Sequence, residues 1–132
     1  MAYDFIQVER EGHVTVITLN RPEVMNALHS AAHFELDDAF NAFAADPDQW
    51  VGIVTGAGER AFSAGNDLKH QAMGGDMKSP PSGFAGLTSR FDLTKPLIAL
   101  SGSDRTPSPL QRQPRRERNF PIEGGCGRRS RL

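Results

Sequence analysis

His13-Val14-Thr15-Val16-Ile17-Thr18-Leu19 is the stretch on which the fold turns. It is rich in β-branched residues and reads as a strand. Val14, Val16, Ile17 and Leu19 make it apolar on both faces, the pattern of a strand covered on each side, which predicts an α/β layer architecture. Upstream, Tyr3 to Glu9 reads as a second strand, and Arg10-Glu11-Gly12 supplies the turn of an antiparallel hairpin. Downstream, Asn20-Arg21-Pro22-Glu23 breaks the strand, and Ser30 is placed to cap a helix whose apolar residues Ala32, Leu36, Phe40 and Phe43 recur at helical spacing. Asp46-Pro47 ends that helix, and Trp50-Val51-Gly52-Ile53-Val54-Thr55 follows as a short buried strand. Strand, helix, strand is a crossover unit, so the two strands it joins are predicted to lie parallel in one sheet.

Further along, Gly74-Gly75 and Ser79-Pro80-Pro81-Ser82-Gly83 punctuate a predicted mobile surface loop. Phe84 to Leu93 reads as a short helix, and Lys95-Pro96-Leu97-Ile98-Ala99-Leu100 opens like another buried strand with Pro at its edge. Beyond residue 100 the pattern stops. Residues 1–100 carry seven basic and 13 acidic side chains, a net charge of −6, whereas residues 101–132 carry eight arginines and three acids, a net of +5. The second segment has four prolines, no alanine and no valine, and its apolar residues keep no period, so it is expected to be a disordered basic tail. The near-neutral whole is a sum of unlike parts.

With Cys126 alone, no intrachain disulfide forms and a reducing cytoplasmic setting suffices. The acidic amino terminus has the form of neither a secretory nor an organellar leader, and no apolar run reaches membrane-spanning length. The tail arginines offer charge for phosphates, but Phe120 is the one aromatic among them, which leaves non-specific attraction and no specific nucleic-acid site.

Gly56-Ala57-Gly58-Glu59-Arg60-Ala61 matches a dinucleotide fingerprint in form, with Asp76 near the place of a ribose-binding acid. Such a turn must open a helix to hold the pyrophosphate. Here Phe62-Ser63-Ala64-Gly65-Asn66 comes next without a helical stripe, so a plain glycine turn is the favoured reading. His29 and His33 stand four apart, but Ser30 replaces the Glu of H-E-x-x-H and no third ligand is evident, so no metal site is assigned. Ala61 to Lys69 is more suggestive. Small residues at Ser63, Ala64 and Gly65 let a ligand approach the backbone, and Asp67-Leu68-Lys69 can begin a helix with an acid in its first turn.

Asn20-Arg21-Pro22 with Met25-Asn26-Ala27-Leu28, then Ile53-Val54-Thr55-Gly56-Ala57-Gly58, then Ala61-Phe62-Ser63-Ala64-Gly65-Asn66-Asp67-Leu68-Lys69, then Lys95-Pro96-Leu97-Ile98-Ala99 resemble, in order and spacing, the crotonase superfamily of enoyl-CoA hydratases and isomerases. Gly83-Phe84-Ala85-Gly86-Leu87-Thr88 with Phe91-Asp92-Leu93 resembles its carnitinyl-CoA dehydratase branch. The resemblance implies a spiral of ββα units, of which residues 1–100 would be the amino-terminal part, assembled as trimers or hexamers and acting on acyl-CoA thioesters with no separate cofactor. It implies that the Asn66 amide is one of two oxyanion donors and the catalytic position of this segment. Val24, Met25, Ala64, Asn66, Asp67, Leu68 and Lys69 would then be the acyl-CoA contacts, with Ala64 at the adenine and Lys69 at the phosphates.

The family's second donor lies in a segment of the type N-G-x-A-x-G-G-G, with catalytic glutamates beyond it. This chain reads Leu100-Ser101-Gly102-Ser103-Asp104-Arg105 instead, and Glu117 and Glu123 match no family position. A shift of reading frame, a gene disruption or a sequencing error after codon 99 is the expected origin of residues 101–132. The polypeptide as written is accordingly expected to be inactive.

Overall fold

The computed structural model describes residues 2–101. The expected basic tail, Cys126, Glu117 and Glu123 lie outside the described residues. Four strands, β1 (Ile6–Glu11), β2 (Val14–Leu19), β3 (Val51–Gly56) and β4 (Leu97–Leu100), form one sheet in the order β1-β2-β3-β4. β1 and β2 are antiparallel, while β2, β3 and β4 run parallel, so the crossover reading of the sequence is what the chain adopts. Helix α1 (Ser30–Ala45) makes that crossover, and a short helix α2 (Leu68–Ala72) precedes β4. Among the described residues no helix is long and apolar enough to cross a membrane.

The hairpin is tighter than the sequence suggests. β1 starts at Ile6 rather than Tyr3 and runs on to Glu11, which pairs with Val14 and leaves Gly12-His13 as the whole turn. Gly12 has φ +58°, and a Cβ built there meets no atom within 4 Å. Gly12→Ala is therefore expected to cost about 1–2 kcal/mol, all of it conformational. Urea unfolding measures it, and a larger loss would reveal a packing role that this geometry lacks.

α1 buries Ala32, His33, Leu36, Ala39, Phe40 and Phe43 along one stripe. Of these, Ala32, Leu36, Ala39 and Phe40 pack with Ile6, Ile17, Leu19, Leu28 and Val54 into one core. Ser30 is the first helical residue and not the cap; His29, with extended backbone, takes the cap position and its side chain makes no capping bond. At the other end the Lys95 ammonium donates to the carbonyls of Phe43 and Asp46, a cation on the negative end of the helix. This gives the lysine before Pro96 a structural task.

Three other expectations are corrected. β2 is fully buried on one face, at Thr15, Ile17 and Leu19, but only half-buried at Val14, Val16 and Thr18, because α1 covers one side of the sheet. Trp50 precedes β3, is exposed, and stacks on His13 with ring centroids 3.7 Å apart. Phe84 to Leu93 is not a helix beyond a single 3-10 turn at Phe84–Gly86. Gly83, Ala85 and Gly86 all have positive φ, and Gly86 lies so close to α1 that a Cβ would stand 2.8 Å from the Asp37 backbone nitrogen. The buried Arg90 pairs with Asp37 at 2.6 Å, Ser82 also donates to Asp37, and the Ala85 amide donates to His33 Nδ1 at 2.9 Å. Residues 82–90 thus form a strap pinned to α1, so the expected loop is anchored at its Ser82 end.

Candidate functional site

The loop after β2 and the loop before α2 meet through one parallel bridge between Leu28 and Asn66. The Leu28 amide donates to the Gly65 carbonyl at 2.7 Å and the Asp67 amide donates to the Leu28 carbonyl at 2.9 Å. In a parallel bridge the partner residue uses its two neighbours, so its own N–H and C=O point to the other side. That residue is Asn66. From Ala64 to Leu68 every other amide has an acceptor: Met25 O for Ala64, Ser63 Oγ for Gly65, Leu28 O for Asp67 and Asn66 O for Leu68. The Asn66 N–H has none among the described residues, and the residue is exposed.

What fixes this amide is a frame of buried polar groups. Asn26, only 1% exposed and left-handed at φ 55°, accepts from the Arg21 amide at 2.9 Å and donates to the carbonyls of Ala57 and Ala61 at 2.9 and 3.0 Å. Its own carbonyl accepts from Ser63 Oγ at 2.8 Å. Gly56 lets the turn fold back, since a Cβ there would stand 2.2 Å from the Phe62 carbonyl oxygen. The glycine turn opens no helix before Leu68, and Asp76 is exposed with its carboxylate 3.5 Å from the Lys78 ammonium, so no dinucleotide cradle forms.

Asp67 closes the frame. Its carboxylate accepts from the His70 amide at 2.9 Å as the cap of α2 and pairs with Arg21 Nη1 at 3.0 Å. The His70 amide first, then Arg21, hold its pKa below the ordinary carboxylate range. Arg21 Nη1 also donates to the Ala27 carbonyl. Nearby, the His29 ring stands edge-on to Phe5 and His70, with centroids 4.4 and 5.2 Å away. Burial, and then the Arg21 charge, push the His29 pKa down. Burial lowers His33 as well, consistent with an Nδ1 that must be unprotonated to accept from Ala85. No group of three or more His, Cys, Asp or Glu side chains suited to a metal occurs among the described residues.

Beside the bridge is an apolar cavity of about 280 Å³. It is lined by Leu19 and Val54 of the sheet, Leu36 and Phe40 of α1, Phe62, Ser63 and Gly65 of the loop before α2, and Phe84 and Leu87 of the strap. A larger hollow of about 610 Å³, near Tyr3, Arg10 and Asp38, is lined by none of the candidate site residues. Part of the stretch read as a short helix, Phe84 to Leu87, has thus become lining of the apolar cavity, and the Asn66 amide follows directly on Gly65.

The profile of the enoyl-CoA hydratase/isomerase family matches residues 9–102. The chain belongs to this family. It is 48% identical over 96 residues to a carnitinyl-CoA dehydratase of Salmonella arizonae, covering 71% of this chain and 36% of that one. It is 49% identical over 92 residues to the carnitinyl-CoA dehydratase of Citrobacter koseri, covering 68% and 35%. Among solved structures it is similar to a carnitinyl-CoA hydratase from Mycobacterium avium, with 38% identity, a TM-score of 0.68 and coverage of 74% of this chain and 38% of that one. The chain spans just over a third of the length of these curated relatives. The fold is accordingly an α/β, partial crotonase-like architecture.

Against the contacts implied by the family resemblance, the structure brings Met25, Ala64 and Asn66 together, since the Ala64 amide binds the Met25 carbonyl across the two loops. Met25 is 41% exposed with φ 56°, and Val24, at the end of the 3-10 turn Pro22–Val24, is half-buried. Leu68 and Lys69 are exposed on the first turn of α2. Asp67 is different: its buried carboxylate is turned into the frame and occupied by Arg21 and His70. Sequence reasoning gave no site role to Asn26, which positions the loops, or to Phe62, Phe84 and Leu87, which line the cavity, and it read Ser63 only as a small residue, not as the donor to the Asn26 carbonyl. For Asn26 one signal was present, an asparagine in a tight loop, the residue type that tolerates left-handed backbone.

Proposed function

We propose that this chain binds acyl-CoA thioesters, with the thioester oxygen on the Asn66 amide and the acyl group in the adjoining cavity, and that it does not itself complete hydration or dehydration. The observation that carries this reading is an exposed backbone N–H without an acceptor, fixed one residue from an apolar cavity. A donor preorganised in this way stabilises charge as it develops on the oxygen and needs no rearrangement when it does so. Met25, Ala64 and the exposed face of Leu68 and Lys69 would meet the coenzyme.

The reaction needs more than one donor. The loss of a single oxyanion donor costs about 10²- to 10³-fold in rate. After Ala99 the residues depart from the family's donor segment, and the positions of its glutamates find no match. Calorimetric titration of the full chain with an acyl-CoA, alongside a spectrophotometric assay of enoyl-CoA hydration, tests both halves. Saturable binding without turnover is the expected result. Asn66→Ala, which keeps the N–H, is expected to retain binding, and Asn66→Pro, which removes it, to weaken it. Hydration by the purified chain would reject the inactive reading, and no binding of any CoA ester would reject the site.

A further inference from the structure

We infer that the cavity beside Asn66 accepts an uncharged acyl chain and discriminates against a quaternary ammonium one, a specificity that would separate this chain from the carnitinyl-CoA enzymes it resembles; the inference rests on the acyl-CoA reading above. A carnitinyl group ends in trimethylammonium. To bury such a cation a site needs a carboxylate, or several aromatic faces turned toward it.

This cavity offers neither. Among the described residues its lining contains no acidic side chain, and the one hydroxyl there, Ser63 Oγ, is spent on the Asn26 carbonyl and the Gly65 amide. Asp37 and Asp67, in the elements around it, are not wall residues, and each already holds an arginine, Arg90 at 2.6 Å and Arg21 at 3.0 Å. Three phenylalanines do line the space, but two are engaged. The Arg90 guanidinium carbon stands 6.0 Å from the Phe40 ring centroid, and the His33 ring packs on Phe84 at 4.6 Å. A resident guanidinium at the Phe40 ring works against a second cation at the same ring. Leu36, Leu87 and Val54 complete surfaces that an aliphatic chain matches. At about 280 Å³ the space is slightly smaller than the roughly 300–1,000 Å³ of typical small-molecule pockets, which suits a short acyl group.

The test is a pair of isosteric ligands titrated calorimetrically into the full chain: the γ-trimethylammoniobutanoyl thioester of CoA, and its carbon analogue in which tert-butyl replaces trimethylammonium. CoA alone is the third arm. The neutral thioester is expected to bind at least about tenfold more tightly than the cationic one. Leu87→Trp, which fills the cavity, is expected to abolish that preference and leave CoA affinity unchanged. Equal or tighter binding of the cationic ester overturns the inference and leaves the acyl-CoA reading standing. Two esters that bind no better than CoA alone, or a preference untouched by Leu87→Trp, overturn it too, together with the placement of the acyl group in this cavity. If CoA and both esters all fail to bind, the acyl-CoA reading itself fails, and the inference falls with it.

Discussion

Asn26→Ala is expected to lower stability by about 3–4 kcal/mol and to abolish measurable acyl-CoA binding. The side chain is buried and makes three hydrogen bonds, one from the Arg21 amide and two to the carbonyls of Ala57 and Ala61. Alanine removes all three and leaves their half-buried partners unpaired, each at a cost of up to about 1–3 kcal/mol before relaxation. It also places a Cβ residue without side-chain compensation at φ 55°, which adds about 1 kcal/mol. Asn26→Gly separates the two contributions, because glycine accepts that backbone freely; it should return about 1 kcal/mol relative to alanine. Asn26→Asp keeps the acceptor but sets a carboxylate against two carbonyl oxygens, so it should rescue nothing. Urea unfolding with each variant gives the order. A loss under about 1 kcal/mol for alanine would show that the frame around Asn66 does not depend on this residue.

The reasons some of this was legible in the sequence, and some not, are local against distant. β2, the parallel crossover and the buried stripe of α1 follow from periodicity within single segments, which the chain itself displays. The strap did not, because Gly83, Ala85 and Gly86 are left-handed on account of contacts with His33 and Asp37 some fifty residues away. Phe84 to Leu93 has the spacing of a helix, and tertiary contacts override it. The second face of β2 was misread for a related reason: an apolar strand signals that cover is wanted, while the cover present among the described residues comes from α1 alone.

The site divides in the same way. Ser63-Ala64-Gly65 announces a close approach to backbone, so the segment around Asn66 stood out. The freedom of its amide, however, depends on the bridge to Leu28, which brings together two loops nearly forty residues apart in the chain. No local pattern writes that pairing. Asp67 is a different case: the resemblance implies a ligand contact at this position, and the buried carboxylate is engaged with Arg21 through contacts the sequence does not display.

Asp67→Ala is expected to cost about 3–5 kcal/mol, the loss typical when one member of a buried ion pair is removed. Arg21 would remain with its charge unpaired in a loop where its Nε already lacks a partner. α2, five residues long, would lose the one side-chain cap it has, at the His70 amide. The pH dependence identifies the cause. The folded-state pKa of Asp67 is depressed, so its stabilising contribution is fully present above the unfolded aspartate value of about 3.9 and is lost as pH falls through the lower, folded value. Across neutral pH it contributes no slope. Asp67→Asn should therefore flatten the acid limb of the stability curve below about pH 4, and an unchanged limb would show that other carboxylates govern it. Replacing the pair together, as Arg21→Met with Asp67→Leu, distinguishes stability from positioning. Well-packed apolar pairs often match or exceed the ion pair they replace in stability. The double variant should thus regain much of the loss by urea unfolding, yet bind acyl-CoA more weakly than the unaltered chain, because the bonds from Arg21 to the Ala27 carbonyl and from the His70 amide to Asp67, which flank the bridge at Asn66, are gone. Recovery of both stability and binding would mean that any filler of the right volume holds the amide in place, and that the charges have no part in aiming it.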